Sequence, residues 1–186
     1  PILLLVYNRS KYLKKLLNIL QKIKAQNIYV SFDGPKNDEK DIFKCQKVIE
    51  KIDKINWKCN IQKNHLDKNY GCKIGVSKGL EWFFSKVNYG IIIEDDCLPS
   101  NDFFTFCEWS LKKYKNDRRV GGITGNNFLK NKINFKESYY FSKYAHCWGW
   151  ATWKRTWKKY DTNIKFWNKF KFSSNWKYLF QNENER

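Results

Sequence analysis

Three short apolar runs do most to limit what this chain can fold into. Ile2 to Tyr7, Ile28 to Phe32 and Gly90 to Ile93 are continuous rather than alternating, the pattern of strands covered on both faces. Between the first two, Leu13, Leu16, Leu17, Leu20 and Ile23 repeat at three- and four-residue steps with Lys on the other side. That is the apolar stripe of a helix, with Asn8 and Ser10 offering caps. Asp33-Gly34-Pro35 stops the second strand, and Asp38 to Ile55 reads as a helix with Ile42, Cys45, Ile49 and Ile52 on one face. A weaker strand is expected near Lys58 to Gln62 and another near Val120 to Thr124. Helices are expected over Lys73 to Lys86 and Asp102 to Tyr114. Strand and helix alternate, which predicts crossover connections and an α/β fold: a mostly parallel sheet with helices on both faces. Beyond Tyr139 the Trp- and Phe-rich segments are expected to be less regular, and no repeat or low-complexity linker divides the chain.

Composition narrows the function classes. At 186 residues the chain fits a single domain with a real core. Its 36 Lys plus Arg exceed 18 Asp plus Glu by +18, while 14 Phe, 11 Tyr and 9 Trp exclude a disordered tail. Only Arg9, Arg118, Arg119, Arg155 and Arg186 are arginines, and the lysines are spread along the whole chain. The charge therefore reads first as solvated helix faces and second as an anion-facing surface. The longest aliphatic run, Ile2 to Val6, is far short of the roughly 20 residues that span a bilayer. The chain lacks Met and begins inside a strand, so it is expected to be a piece of a longer protein. Its six cysteines show no C-x-x-C spacing, and with only His65 and His146 they assemble no zinc pattern. They read as reduced thiols of a cytoplasmic protein.

Chemistry is expected where strands end, because open α/β sheets bind ligands at their carboxyl edge. The first strand ends in Asn8-Arg9, the second in Asp33, and Gly90–Ile93 in Glu94-Asp95-Asp96. Three consecutive carboxylates repel one another and tolerate a cation among them. Magnesium or manganese takes carboxylate oxygen and leaves positions for phosphate. A solvated strand end is the plainer alternative.

These residues carry a resemblance. The segment GIIIEDDCLPSNDFFTF resembles the nucleotide-sugar-binding part of GT-A glycosyltransferases. There an apolar strand ends in a D-x-D-type motif, in the E-D-D form of the N-acetylglucosaminyltransferase I group and related bacterial family 2-like sugar transferases. PILLLVYNRSKYLKKLLNIL resembles their first strand and helix, IYVSFDGPK the second strand with its Asp, and NYGCKIGVSKGLEWFF the helix before the metal strand. YAHCWGWATWKRTW resembles the acceptor-side segment. The resemblance implies a GT-A (Rossmann-like) domain over 1–186, with a nucleotide-binding part at 1–125 and an acceptor-side part at 126–186.

It further implies that Asp96 coordinates the metal, Mn2+ or Mg2+, that bridges the donor diphosphate. Asp95 would lie near the ribose, Glu94 near the donor sugar, and Asp33 at the base, with Asn8 and Arg9 lining the nucleotide pocket. Lys73 is a candidate phosphate or nucleotide contact, with a solvated helix residue as its alternative. Trp148 and Gly149 are candidates for the sugar side and His146 for phosphate or acceptor, whereas Trp150, Trp153 and Trp157 fall at helical spacing and read as core. An inverting transfer needs a carboxylate base. No Trp-Asp motif precedes the end at Glu183-Asn184-Glu185-Arg186, and Asp161 stands too early, so the base is expected outside this chain.

The expected function is transfer of a sugar, from UDP by resemblance, to a saccharide or lipid-linked glycan hydroxyl, with peripheral contact to an anionic membrane through the lysines. Two rivals remain. A nucleic-acid-binding protein would use the basic and aromatic residues, but no RNP, KH or helix-turn-helix pattern appears and the acidic triplet repels phosphate. A carbohydrate-binding domain without catalysis is the other.

Overall fold

The computed structural model describes residues 1–128 and 136–179. The acidic C-terminal end at Glu183-Asn184-Glu185-Arg186 lies outside the described residues. Strand β1 (Ile2–Val6) is buried along its whole length and takes the middle of the sheet. Helix α1 (Ser10–Lys22) buries Leu13, Leu16, Leu17 and Leu20. Neither Asn8 nor Ser10 caps it: Ser10 is already the first helical residue, and Arg9 holds the cap position without a side-chain bond. Strand β2 (Asn27–Phe32) leads to α2 (Glu39–Asp53), whose N-cap Asp38 accepts from the amides of Lys40 and Asp41. The buried face of α2 is Asp41, Cys45, Val48 and Ile52, whereas Ile42 is 48% exposed. That face is rotated by about one residue from the one the apolar spacing suggests, because a bonded carboxylate occupies it.

Strand β3 (Asn60–His65) starts two residues later than expected and pairs only with β2. An edge position suits its polar sequence. Helix α3 (Gly71–Lys86), strand β4 (Tyr89–Glu94), helix α4 (Asn101–Lys113) and strand β5 (Gly122–Thr124) follow. The tryptophan segment then forms strand β6 (Trp150–Trp153) and a single turn, α5 (Lys154–Trp157), followed by α6 (Trp167–Lys171) and α7 (Ser174–Leu179). The sheet order is β3-β2-β1-β4-β6-β5. Strands β1 to β4 are parallel, and β6 lies antiparallel between β4 and β5.

Helical spacing at Trp150 and Trp153 is therefore corrected to a strand. Trp153 and Ala151 join the core under α1, α2 and α4. Trp150 packs on the opposite face, against Leu80, Phe83 and Phe84 of α3, where Trp157 also lies. The expected fold class holds: a mostly parallel α/β sheet with helices on both faces. Among the described residues no helix is long and apolar enough to cross a membrane, and all six cysteines are free thiols.

One close approach ties α3 to the sheet. A Cβ added to Gly90 would come within 2.3 Å of Phe83 Cζ, and Phe83 is completely buried. Gly90→Ala is expected to destabilise the fold by about 1–3 kcal/mol through overpacking. A urea unfolding curve checks this; an unchanged midpoint would mean that α3 can lift off β4 at no cost.

Candidate functional site

The path of the chain makes a crevice between β1 and β4. From β1 it moves outward through β2 and β3, with α1 and α2 on one face. Helix α3 then returns across the other face and inserts β4 on the free side of β1. Where winding reverses in this way, the helices leaving two neighbouring strands diverge, and their carboxyl ends open a ligand crevice. The register sets Leu5 opposite Glu94, so Tyr7-Asn8-Arg9 and Asp95-Asp96 emerge side by side.

Hydrogen bonds lock this edge. The Asp95 amide donates to the Leu5 carbonyl at 3.1 Å, and the Tyr7 amide donates to the Asp95 carboxylate at 3.1 Å. The Arg9 guanidinium bonds the Asp96 carboxylate and lies 3.5 Å from Asp95 Oδ1. A turn closes behind the triplet, with the Cys97 amide on the Glu94 carbonyl at 3.0 Å. The three carboxylates are thereby dealt to different places. Asp95 is buried, Glu94 is half-buried, and the Asp96 side chain is 42% exposed. Burial first, then the charges of Asp96 and Asp95, raise the Glu94 pKa against the opposing pull of Arg9. Burial also raises that of Asp95, although the Tyr7 amide and Arg9 work the other way.

Because the triplet is split, no group of three or more His, Cys, Asp or Glu side chains gathers as a metal cage among the described residues. One open carboxylate at the mouth of a crevice still fits a hard divalent ion of the kind that keeps waters and takes phosphate oxygens. Asp96 is that carboxylate, and the Arg9 guanidinium already bonds it.

The neighbouring strand ends are occupied in ways the sequence did not disclose. The Asn8 amide donates to Asp41 Oδ1 at 2.6 Å, the Tyr7 hydroxyl donates to the same carboxylate, and the Lys36 amide donates at 2.8 Å. Burial works against ionisation of Asp41, yet these hydrogen bonds hold its pKa below the ordinary value. Burial and Asp41 together push up the Tyr7 phenol. Asp41 and Tyr7 were missed; the available signal was a carboxylate where the helical stripe of α2 wanted an apolar residue. Asp33 accepts from the amides of Tyr70 at 2.9 Å and Gly71 at 3.0 Å, and from Asn69 Nδ2 at 3.3 Å. It thus caps α3 from a distance and satisfies donors that no local side chain reaches. Lys73 stands exposed in the first turn of α3.

The acceptor-side candidates reach the same edge. Strand β6 runs against β4, with Trp150 opposite Ile92, so the residues just before it lie toward the level of Glu94. Gly149 is buried with φ +76°, a conformation glycine adopts freely. Its carbonyl accepts from the Gly125 amide at 3.2 Å. A Cβ on Gly149 would stand 3.5 Å from Phe103, which sits in the first turn of α4 just beyond the acidic triplet. Trp148 is 59% exposed, its carbonyl bonded by Asn126 Nδ2 at 3.0 Å. The rings of Trp148 and His146 both meet Phe128 edge-on, at 5.9 and 4.9 Å. Asn8, Arg9, Glu94, Asp95, Asp96, Trp148 and Gly149 are therefore gathered at one sheet edge. Asp161 closes a local turn, accepting from the amides of Asn163 and Lys165 at 3.0 and 2.8 Å.

No family model matches the chain, and no curated protein matches it. Among solved structures, a mannosyltransferase from Pyrobaculum calidifontis, in complex with GDP-mannose and Mn2+, is similar at 13% identity with a TM-score of 0.43. That likeness covers 70% of this chain and 36% of the mannosyltransferase, so the chain spans little more than a third of its length. A 4-diphosphocytidyl-2C-methyl-D-erythritol synthase from Anaerococcus prevotii is similar at 12% identity and a TM-score of 0.47. There the likeness covers 89% of this chain and 81% of the synthase.

Proposed function

We propose that this chain is the donor-binding part of a GT-A-type glycosyltransferase, of the kind that carries its acidic motif in the E-D-D form. It would take a nucleoside diphosphate sugar, UDP-linked by resemblance, and pass the sugar with inversion to a hydroxyl of a saccharide or lipid-linked glycan. One observation carries the reading: an acidic triplet and an Asn-Arg pair meet at the point where the winding of the sheet reverses. A crevice of that kind receives a nucleotide, and a carboxylate paired with a guanidinium at its mouth suits a metal-bound diphosphate.

Asp96 would hold Mn2+ or Mg2+, whose chemistry when bound is Lewis-acid stabilisation of the charge on the departing diphosphate. Displaced from Asp96, the Arg9 guanidinium would turn to phosphate oxygen, which it binds as readily as carboxylate. Asp41 holds the Asn8 amide and the Tyr7 ring in fixed positions and so would shape the nucleotide side of the crevice. Asp33 fixes the start of α3, and Lys73 in the first turn of that helix would be the phosphate or nucleotide contact. Buried Asp95 would face the ribose, Glu94 the donor sugar, and Trp148, Gly149 and His146 the acceptor or the donor sugar. The base that takes the acceptor proton is not among these residues.

Calorimetric titration of UDP and GDP into the folded chain, with and without manganese, tests the reading. Binding that requires manganese and favours UDP is expected. Binding indifferent to metal, or no heat from a chain shown to be folded, would overturn it.

A further inference from the structure

A groove of about 320 Å3 lies at the other end of the sheet, between the last turns of α3 and the chain around α5. Strand β6 ends at Trp153 opposite Tyr89, the first residue of β4, and the Lys154 amide donates to the Asn88 carbonyl at 2.8 Å. The groove thus opens at the amino edge of β4. The acidic triplet lies at the carboxyl edge, about 20 Å away along the strand.

An aromatic stack lines it. Phe84, buried in the core, lies 6.4 Å from Trp157 at 28°, and Trp157 lies 4.6 Å from Tyr160 at 15°. The stack ends in the Tyr160 ring, which is 55% exposed. Around it stand Lys154, Lys158 and Glu81. Among the described residues none of these three has an ion-pair partner. A rigid aromatic end with unpaired charges on its rim has the chemistry of a sugar site: the ring receives the apolar face of a pyranose, and the charges receive its substituents. Two ammonium groups against one carboxylate favour an anionic substituent. The volume is that of a small-ligand site.

We propose that this groove is a second binding site, for an anionic saccharide whose pyranose rings carry carboxylate or phosphate groups. It is separate from the donor crevice and does not depend on the reading of that crevice. A chain of sugars held there would be tethered at the opposite end of β4 from the acidic triplet.

The test is calorimetry at low salt with tetragalacturonate and mannose 6-phosphate as anionic probes and maltotetraose as the neutral one, on the native chain, Lys158→Gln and Tyr160→Ala. Both anionic probes are expected to bind if either charge suffices; tetragalacturonate alone marks a uronate site, and mannose 6-phosphate alone a phosphosugar site. Lys158→Gln, an exposed change that leaves the core untouched, should weaken anionic binding about tenfold. Tyr160→Ala should weaken it by up to about tenfold. Both variants should retain whatever UDP binding the native chain shows, so the two sites fail separately. Equal affinity for maltotetraose, no heat with either anionic probe, or affinities unmoved in both variants would overturn the proposal. So would an oligonucleotide that competes for the groove and is lost in the same variants.

Discussion

Trp153→Ala is expected to lower the free energy of unfolding by about 3–5 kcal/mol, a large share of the roughly 5–15 kcal/mol that holds a domain of this size together. The indole is 3% exposed and closes the core beneath α1, α2 and α4. Its Nε1 donates to the Leu111 carbonyl at 3.2 Å, tying the end of β6 to α4. The Arg155 guanidinium lies 4.3 Å over the ring, and its Nη2 donates to the carbonyls of Tyr114, Asp117 and Val120 at 3.0–3.1 Å. Removing the ring opens a cavity, leaves a buried carbonyl without its donor and takes away the plate on which the arginine rests. At this chain length the melting temperature should fall by roughly 6–20 °C. Trp148→Ala, at an exposed position on the same segment, should cost less than about 0.5 kcal/mol. Thermal melts of the two variants side by side check this. A Trp153→Ala melt within 2 °C of the native chain would mean that β6 is not part of the cooperative fold.

That segment also shows where sequence reasoning stops. β1, β2 and β4 were legible because a strand buried on both faces leaves an unbroken apolar run, which their sequences display. β6 is equally enclosed, but at Trp-Ala-Thr-Trp the tryptophans fall three apart and imitate a helical stripe. Only the sheet resolves the ambiguity, by sending Trp153 to one core and Trp150 to the other. On α2 the apolar rule chose Ile42, whereas the buried position belongs to Asp41, whose burial is tolerated because Tyr7, Asn8 and the Lys36 amide bond it.

The candidate site was legible in its parts and not in its pairings. Glu94-Asp95-Asp96 and Asn8-Arg9 announce themselves as polar groups directly after apolar strands. That Arg9 binds Asp96, 87 residues away, depends on β4 returning to the side of β1. That Asp33 caps α3 depends on a helix that starts 38 residues later. Neither pairing leaves a local trace in the sequence, because each is made by the winding of the sheet.

The Arg9–Asp96 pair supplies the other large effect. Asp96→Asn is expected to weaken the manganese-dependent UDP binding by about 100-fold. Asparagine keeps the size and one carbonyl oxygen but loses the charge that a hard cation seeks. Arg9→Gln should act in the opposite sense on the metal. The guanidinium now neutralises Asp96 and stands 3.5 Å from Asp95, so it competes with any cation that approaches them. Without it, manganese alone should bind several-fold more tightly, while UDP loses a phosphate partner. Opposite shifts from the two halves of one ion pair cannot come from a general folding defect, which would weaken both. Manganese titrations of the two variants, followed by UDP titrations, decide the matter. If Arg9→Gln weakens manganese binding as much as Asp96→Asn does, Arg9 supports the metal site rather than competing for it, and the exchange of guanidinium for metal at Asp96 is ruled out.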